Sequence, residues 1–371
     1  MSARIPFGTV EGMPPPPRHV PLHAAVVGGG VLGVSTATQL AERGVAVTLI
    51  TDGPLASGAS GRSLSWLNSF TERTAAYHRL RMIGIDRYRT LAAALPDAPW
   101  LRFDGGVFWG DDAEAIAARH RAAGYEVRPV GRVPGVDVPP GGAFLNAGEG
   151  WVDLSFLIRH LADRCTAAGG RLITEAGAAR PNVRSGRAVG VHLADGSTVA
   201  ADAVVVATGA AVPGMLAELG VPILAQDSPA ALVRTGAVGA GLRTVVNAPR
   251  VSLRPTPDGH LVVGAGWLDA ELTRDGTVPD DRIPELLAEA SAVLEGHPAL
   301  VAEAVMGGPR PKPVDDEPVL GRVDGVAGLH VAFTHSGATL GLIAGELVSE
   351  EIVSGLPHPL LDPFRPDRFA R

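Results

Sequence analysis

Residues Ala24 to Gly53 read AAVVGGGVLGVSTATQLAERGVAVTLITDG. A short apolar run leads into a glycine cluster, a stretch of helical character and a second apolar run. The two runs, about Ala24–Val27 and Ala46–Ile50, have the length and composition of buried strands. Between them Val31, Leu32, Ala37, Leu40 and Ala41 share one helical face, and Gly44 is placed to end that helix. The order strand, helix, strand predicts a right-handed βαβ unit. Gly28, Gly30 and Gly33 form GxGxxG where the first strand meets the helix. The first glycine permits a tight turn and the second lets backbone approach a pyrophosphate. The third allows close helix–strand packing, and the helix N-terminus faces the anion. This context reads as a dinucleotide site. The carboxylate that usually contacts the ribose is expected at the end of the second strand. Thr51 stands there, with Asp52 next, so either side chain is a candidate.

The 371 residues allow two domains or one large domain with an insertion. A net charge of −7 without a basic cluster argues against nucleic acid as a partner. No apolar run approaches the roughly 20 residues needed to span a bilayer, so no membrane partner is expected and the cytoplasm is the expected location. Residues 1–22, MSARIPFGTVEGMPPPPRHVPL, are proline-rich and read as a disordered or loosely docked extension. The single cysteine, Cys165, excludes a disulfide framework and a cysteine-rich metal site, and no metal is expected. It lies in a helical pattern and reads as a core thiol. Lys312 is the only lysine and sits between two prolines, and GxxxxGK[ST] is absent.

Beyond the opening unit, a glycine- and serine-rich loop precedes a helical segment at about 75–95. Asp153 reads as the N-cap of a helix carrying Leu154, Leu157, Ile158 and Leu161 on one face. A strand is expected near Arg171–Thr174, and AVGVHLADGSTVA reads as a hairpin turning at Asp195–Gly196. ADAVVVATG reads as a buried strand entering a turn at Gly209. Residues from about 220 to 310 alternate more and predict an antiparallel region, with a turn at Asp258–Gly259 and one helix at about Ile283–Leu294. The last segment returns to strand, glycine turn and helix.

Four segments together resemble the D-amino-acid oxidase-like flavoenzymes, which include glycine oxidase and sarcosine oxidase. They are VVGGGVLG at 26–33, ASGASGRS at 56–63, the ATG turn at Ala207–Gly209 after VDLSFLIRHLADRC, and GPRPKPVDDEPVLG followed by HVAFTHSGATLG. The resemblance implies an α/β fold: a discontinuous Rossmann-like FAD-binding domain and a substrate domain built on an antiparallel sheet. Residues 23–95, 150–220 and 308–371 are expected in the first, and 96–149 and 221–307 in the second. It also implies FAD-dependent oxidation of the C–N bond of an amino acid or related amine, with dioxygen as acceptor and hydrolysis of the imine to a carbonyl product. A dehydrogenase with another acceptor and a non-catalytic flavin-binding protein remain as alternatives.

By the same resemblance Ser60, Arg62 and Ser63 line the pyrophosphate and flavin edge, with a solvated polar loop as the alternative. Ala178, Thr208 and Gly209 also fall around FAD. Gly337, Ala338, Thr339 and Leu340 are expected to bring backbone N–H groups to the flavin pyrimidine, at a helix starting near Thr339. Arg310 matches the arginine that binds the substrate carboxylate in glycine-oxidase-like relatives; a salt bridge to Asp315 or Asp316 is the alternative. The stretch after His335, Ser336-Gly337-Ala338, lacks the second cation that relatives often carry. His335 falls beside the flavin face, where it sets substrate protonation or packs structurally. Ser65, Trp66 and Asn68 should lie over the ring. Sarcosine-oxidase relatives carry arginines where Ser65 and Asn68 align, which argues against simple sarcosine as substrate. Trp66 is a pocket wall or a core residue, and Tyr77 and His78 are weaker candidates. Relatives that attach flavin through cysteine do so near the late motifs, so FAD is expected to be non-covalent here.

Overall fold

The computed structural model describes residues 23–239, 241–273 and 277–370. The proline-rich segment 1–22, read above as an extension, lies outside the described residues. The central sheet has six strands, in the order Val319–Arg322, Leu329–Phe333, Ala203–Val206, His23–Val27, Ala46–Ile50 and Arg171–Ile173. All neighbours run parallel except the first pair. Strands buried on both faces need apolar residues at every position, and HAAVV and AVVV have that character. Ala24 and Val26 enter the core on one side of the sheet, and Ala25 and Val27 the core on the other. The antiparallel edge strand Val319–Arg322 has no counterpart in the sequence reading, because its four residues follow the late proline-rich motif without a turn signal.

One face is covered by the helices Val31–Glu42, Leu154–Ala167 and Gly337–Ser354. Asp153 caps the second of these, its carboxylate accepting from Ser155 N at 3.1 Å and Phe156 N at 3.4 Å. The third starts at Gly337, two residues before the position expected from sequence. It packs closely on the first helix. A Cβ on Gly345 would lie 2.3 Å from Ser35 Oγ, so only glycine permits this approach. The pairing is also polar, Ser349 Oγ donating to Thr36 O at 3.2 Å, and the first helix is tied to Leu154–Ala167 by Thr38 Oγ1, which donates to Leu161 O at 2.8 Å. The other face carries a three-stranded antiparallel sheet, Arg180–Arg184, Arg187–His192 and Thr198–Ala200. The hairpin at Asp195–Gly196 accounts for two of its strands. The third, RPNVR, contains two arginines and a proline and shows no strand pattern in sequence.

An eight-stranded sheet forms the second layer. Its order is Ala302–Pro309, Pro229–Thr235, Leu261–Gly264, Ser252–Pro255, Val245–Asn247, Gly106–Phe108, Ala143–Asn146 and Val127–Val130. The expected antiparallel character holds for every pair but one. Val245–Asn247 lies parallel to Gly106–Phe108, where the late segment meets the strands contributed by the earlier one. The helix Arg282–Ala292 packs Leu286 and Ala290 into this layer's core. A small sheet of Trp66–Leu67, Gly150–Val152 and Leu101–Arg102 lies at the junction. There the buried Arg254 donates from Nε to Leu64 O at 2.6 Å and from Nη1 to Pro255 O at 2.9 Å, with Asp153 Oδ2 3.5 Å from Nη2. One side chain thus ties the large sheet to the loop after the second strand and to a helix cap. Among the described residues no helix is long and apolar enough to cross a membrane.

Candidate active site

A cavity of about 1100 Å³ opens at the carboxyl ends of the parallel strands and continues to the large sheet. That crevice is where open α/β sheets place ligands. Gly28, Gly30, Val31 and Leu32 line its inner end, and Thr51 and Asp52 follow from the neighbouring strand. Gly28 has φ +127°, and a Cβ there would sit 2.2 Å from Ala207 O. Gly33 does not line the cavity. A Cβ on it would meet Gly28 O at 2.0 Å, so it serves the close packing of helix on turn. Thr51 Oγ1 is tucked beneath Gly29, whereas the Asp52 carboxylate is exposed and accepts from Gly53 N at 3.0 Å.

The serine-rich loop folds over the glycines. Ser60 Oγ accepts from Val31 N at 3.1 Å and so takes one of the free amides of the helix start. Arg62 donates from Nη1 to Ser57 O at 2.9 Å and lies against Gly308 of the large sheet. Ser63 and Ser65 close the loop, Ser65 N donating to Ser63 Oγ at 3.0 Å. Ser65 is buried with φ +54°, a conformation imposed by this turn. Across the cavity stand Ala178, Thr208 and Gly209. Thr208 Oγ1 is buried without a hydrogen-bond partner among the described residues.

The start of the last helix faces the same space through Gly337, Ala338 and Thr339. Leu340 departs from expectation. It is fully buried in the helix-side core, and its N–H donates to Ser336 O at 2.9 Å. As the fourth residue of the helix it already has an intrahelical acceptor, so three amides are free rather than four.

At the far end the cavity is lined by Trp66, Asn68, Arg73, Arg81, Arg310 and His335. Trp66 Nε1 donates to Glu149 Oε2 at 2.9 Å, and Asn146 Nδ2 to Glu149 Oε1 at 3.1 Å. Glu149 is fully buried; that burial pushes its carboxyl up to about 8, against the pull of Trp66, Arg81 and Asn146. Asn68 does not reach into the cavity alone. Its Oδ1 accepts from Phe70 N at 2.9 Å and from Arg81 Nη2 at 3.1 Å. Arg81, itself buried, also donates from Nε to Asn68 O at 2.9 Å and from Nη1 to Ser336 Oγ. Tyr77 OH donates to the same serine at 2.6 Å, while His78 bonds Ser69 Oγ and does not line the cavity.

Arg310 forms a salt bridge, though not with the partners considered from sequence. Its Nη1 lies 3.0 Å from Asp269 Oδ2, and its Nε donates to Ser228 Oγ at 3.1 Å. Asp315 is instead taken by Arg368 and Asp316 by Lys312. Burial raises the Asp269 carboxyl, and Arg310 pulls it back. His335 is exposed at the cavity wall. Desolvation, together with Arg310, Lys312, Arg81 and Arg73, pushes its imidazole down to about 4, so it is neutral at pH 7.

Glu149, Arg73, Arg81 and Asp269 are the site residues that sequence reasoning missed. Arg81 did leave a signal. The buried positions of the helix Ala75–Ala94 are Tyr77, Leu80, Arg81, Gly84, Ile85 and Tyr88, and a lone arginine on such a stripe marks a buried cation with work to do. Glu149 and Asp269 left none.

The family model described as FAD dependent oxidoreductase matches residues 23–351. The chain belongs to this family. It is an oxidoreductase whose cofactor is FAD, and the glycine cradle, the free amides of two helix starts and the unpartnered Thr208 hydroxyl fit a dinucleotide. Cys165 is fully buried in the helix Leu154–Ala167 and does not line the cavity, in keeping with non-covalent FAD. The glycine oxidase of Geobacillus kaustophilus superposes with a TM-score of 0.78 at 25% identity, over 92% of this chain and 97% of that one. The L-amino acid deaminase of Proteus myxofaciens, solved with anthranilate, shares the fold with a TM-score of 0.80 at 19% identity, over 98% and 96%. A tRNA 5-methylaminomethyl-2-thiouridine biosynthesis bifunctional protein from Chromobacterium violaceum is 35% identical over 167 residues, 40% of this chain. The chain spans about a quarter of that relative's length, 24%.

Proposed function

We propose that this oxidoreductase oxidises the C–N bond of an amino acid or related amine to an imine, with dioxygen as the acceptor that closes the cycle. The observation that carries the reading is the continuity of one cavity, from the glycine cradle to a group of arginines around a neutral histidine. Structural likeness to a glycine oxidase supports the same class. Bound FAD supplies the two-electron acceptor for the oxidation.

The chain's own residues bind and orient. The helix start at Val31 and Leu32, its Val31 amide already on Ser60 Oγ, would face the pyrophosphate, and Asp52 would take the adenosine ribose. Gly337, Ala338 and Thr339 would present amides to the pyrimidine end of the flavin. Ser60, Arg62, Ser63, Ala178, Thr208 and Gly209 enclose the remainder. Arg310 offers its guanidinium to a substrate carboxylate, in competition with Asp269. His335, held neutral, does not repel a substrate ammonium. Trp66, anchored by Glu149, and Ser65 and Asn68 beside it, wall the space over the reacting carbon and limit water. The imine released to water hydrolyses to a carbonyl compound and ammonia or an amine. On this reading residues 23–95, 150–220 and 308–371 hold the cofactor, and 96–149 and 221–307 cover the substrate.

The test is a visible spectrum of the FAD-loaded protein, recorded before and after anaerobic addition of an amino-acid and amine panel. Bleaching by an amine followed by rapid recovery in air is expected. Bleaching that air does not reverse would replace dioxygen with another acceptor. A spectrum that no amine changes would overturn the oxidation reading.

A further inference from the structure

The charges around the cavity do not balance. Its arginines are Arg62, Arg73, Arg81, Arg180 and Arg310, and its acids are Asp52, Glu218 and Asp269. Two of the cations are matched locally: Arg180 Nη1 lies 3.1 Å from Glu218 and Arg310 Nη1 3.0 Å from Asp269. Arg62 belongs to the serine loop at the cofactor end, as does Asp52 to the glycine end. At the substrate end Arg73 and Arg81 have no carboxylate within ion-pair distance among the described residues, in a chain whose net charge is −7.

The two are not equivalent. The fork of Arg81 is filled by neutral acceptors, Asn68 O and Oδ1, Ser336 Oγ and Tyr77 OH. Arg73 is different: its Nε is shut from solvent and has no hydrogen-bond partner among the described residues. Its guanidinium lies 5.2 Å from the centre of the Tyr77 ring, which positions it without satisfying its donors. The acids nearest in charge are committed elsewhere, Asp316 to Lys312 at 3.1 Å and Glu317 to Thr74 Oγ1 at 2.5 Å. The side chain is half-buried and lines the cavity, and its terminal nitrogens, unlike the sealed Nε, are open to a ligand and make no hydrogen bond among the described residues.

Arg73 and Arg310 come from different elements, the segment before the helix at Ala75 and the end of the strand Ala302–Pro309. Both line the same cavity, as does His335. Arg310 has a carboxylate in direct contact, whereas Arg73 feels Asp316 and Glu317 only from beyond ion-pair distance.

We propose that Arg73 binds a second anionic group of the substrate, so that the amine oxidised here carries two carboxylates, one facing Arg310 and one facing Arg73. This rests on the amine-oxidising reading of the same site. A planar guanidinium with unfilled donors suits a carboxylate bidentately, and the charge of Arg81 behind it favours the anion further.

The experiment is calorimetric titration of the full-length, FAD-loaded protein with succinate and with propionate, which carry two carboxylates and one and no amine. Succinate is expected to bind about tenfold tighter or more. Arg73→Gln should weaken succinate by about that factor and leave propionate within about twofold, and Arg73→Lys should recover part of the loss. Succinate that fails to bind, or binds no tighter than propionate, overturns the proposal. So does Arg73→Gln weakening both alike or neither. The readout is independent of turnover. Arg73-dependent succinate binding in a protein that no amine bleaches would sink the oxidation reading and leave the anion site standing. Amine-driven bleaching with an indifferent Arg73 would do the reverse.

Discussion

Trp66 Nε1 donates to Glu149 Oε2 at 2.9 Å, joining a cavity-lining indole to a carboxyl that is fully buried. The carboxyl titrates near 8 because burial outweighs its donors. Its proton affinity is higher folded than unfolded, so between about pH 4.5 and 8 the folded state holds a proton that the unfolded state has released. Stability contributed this way is present at low pH and lost as pH rises through 8. Glu149→Gln removes the ionisation while keeping an acceptor for Trp66. The variant should melt at or above the native temperature at pH 9, with on the order of 5 kcal/mol of added stability at most, and match it near pH 4. Melting curves across that range decide it; a constant difference at every pH would refute the buried-charge account.

The glycines of the cradle separate cofactor binding from folding. Gly30 has extended backbone, φ −82°, and a Cβ there would approach only Ser60 Oγ, at 3.2 Å, a side-chain end that can turn away. Gly33 has no such freedom, since Gly28 O would lie 2.0 Å from its Cβ. Gly30→Ala should therefore weaken FAD binding about tenfold or more while the apoprotein melts nearly unchanged. Gly33→Ala should lower both, with a folding cost of about 1–3 kcal/mol or more. FAD titration alongside apoprotein melting distinguishes them.

Asp269 competes with a substrate carboxylate for Arg310. Arg310→Ala should raise KM by about tenfold or more with FAD retained, as loss of a charged anchor does. Asp269→Asn should act oppositely. The amide still accepts from Ala231 N, a bond of 3.0 Å, while the full charge of Arg310 is freed. KM for a carboxylate-bearing amine should fall severalfold. Steady-state kinetics of both variants suffice; a rise in KM for Asp269→Asn would mean that the aspartate positions Arg310 more than it neutralises it.

His335 contributes in the opposite pH direction to Glu149. Its folded proton affinity is depressed to about 4, below the ordinary 6.5, by desolvation and four cations. Between those values the unfolded chain binds the extra proton, so stability is full above 6.5 and lost as pH falls toward 4. His330, buried beside Glu351 and Arg365, is also pushed down to about 4 and shares the window. Urea midpoints at pH 7 and 5 should differ less in His335→Gln than in the native protein, with the His330 share remaining. An equal difference in both proteins would show that His335 is not held neutral.

Much of the fold was legible because its signals are short-range. The strand HAAVV, the glycine spacing, the Asp153 cap and the Asp195–Gly196 turn each lie within a few residues, and each maps to an observed element. The strands Arg180–Arg184 and Val319–Arg322 were not legible, because partners on neighbouring strands supply what their own residues lack.

By itself the sequence determined a βαβ unit with a glycine turn and the apolar strands of a buried sheet, since periodicity and local spacing encode these, and four motif segments carried its resemblance to a flavoenzyme family. Only the tertiary structure decided the chemistry of the far end of the cavity. Trp66 meets Glu149 across 83 residues, Arg81 meets Ser336 across 255, and Arg310 meets Asp269 rather than its sequence neighbours. Whether a charge is paired, buried or left for a ligand depends on which distant element folds against it, and no local pattern carries that information.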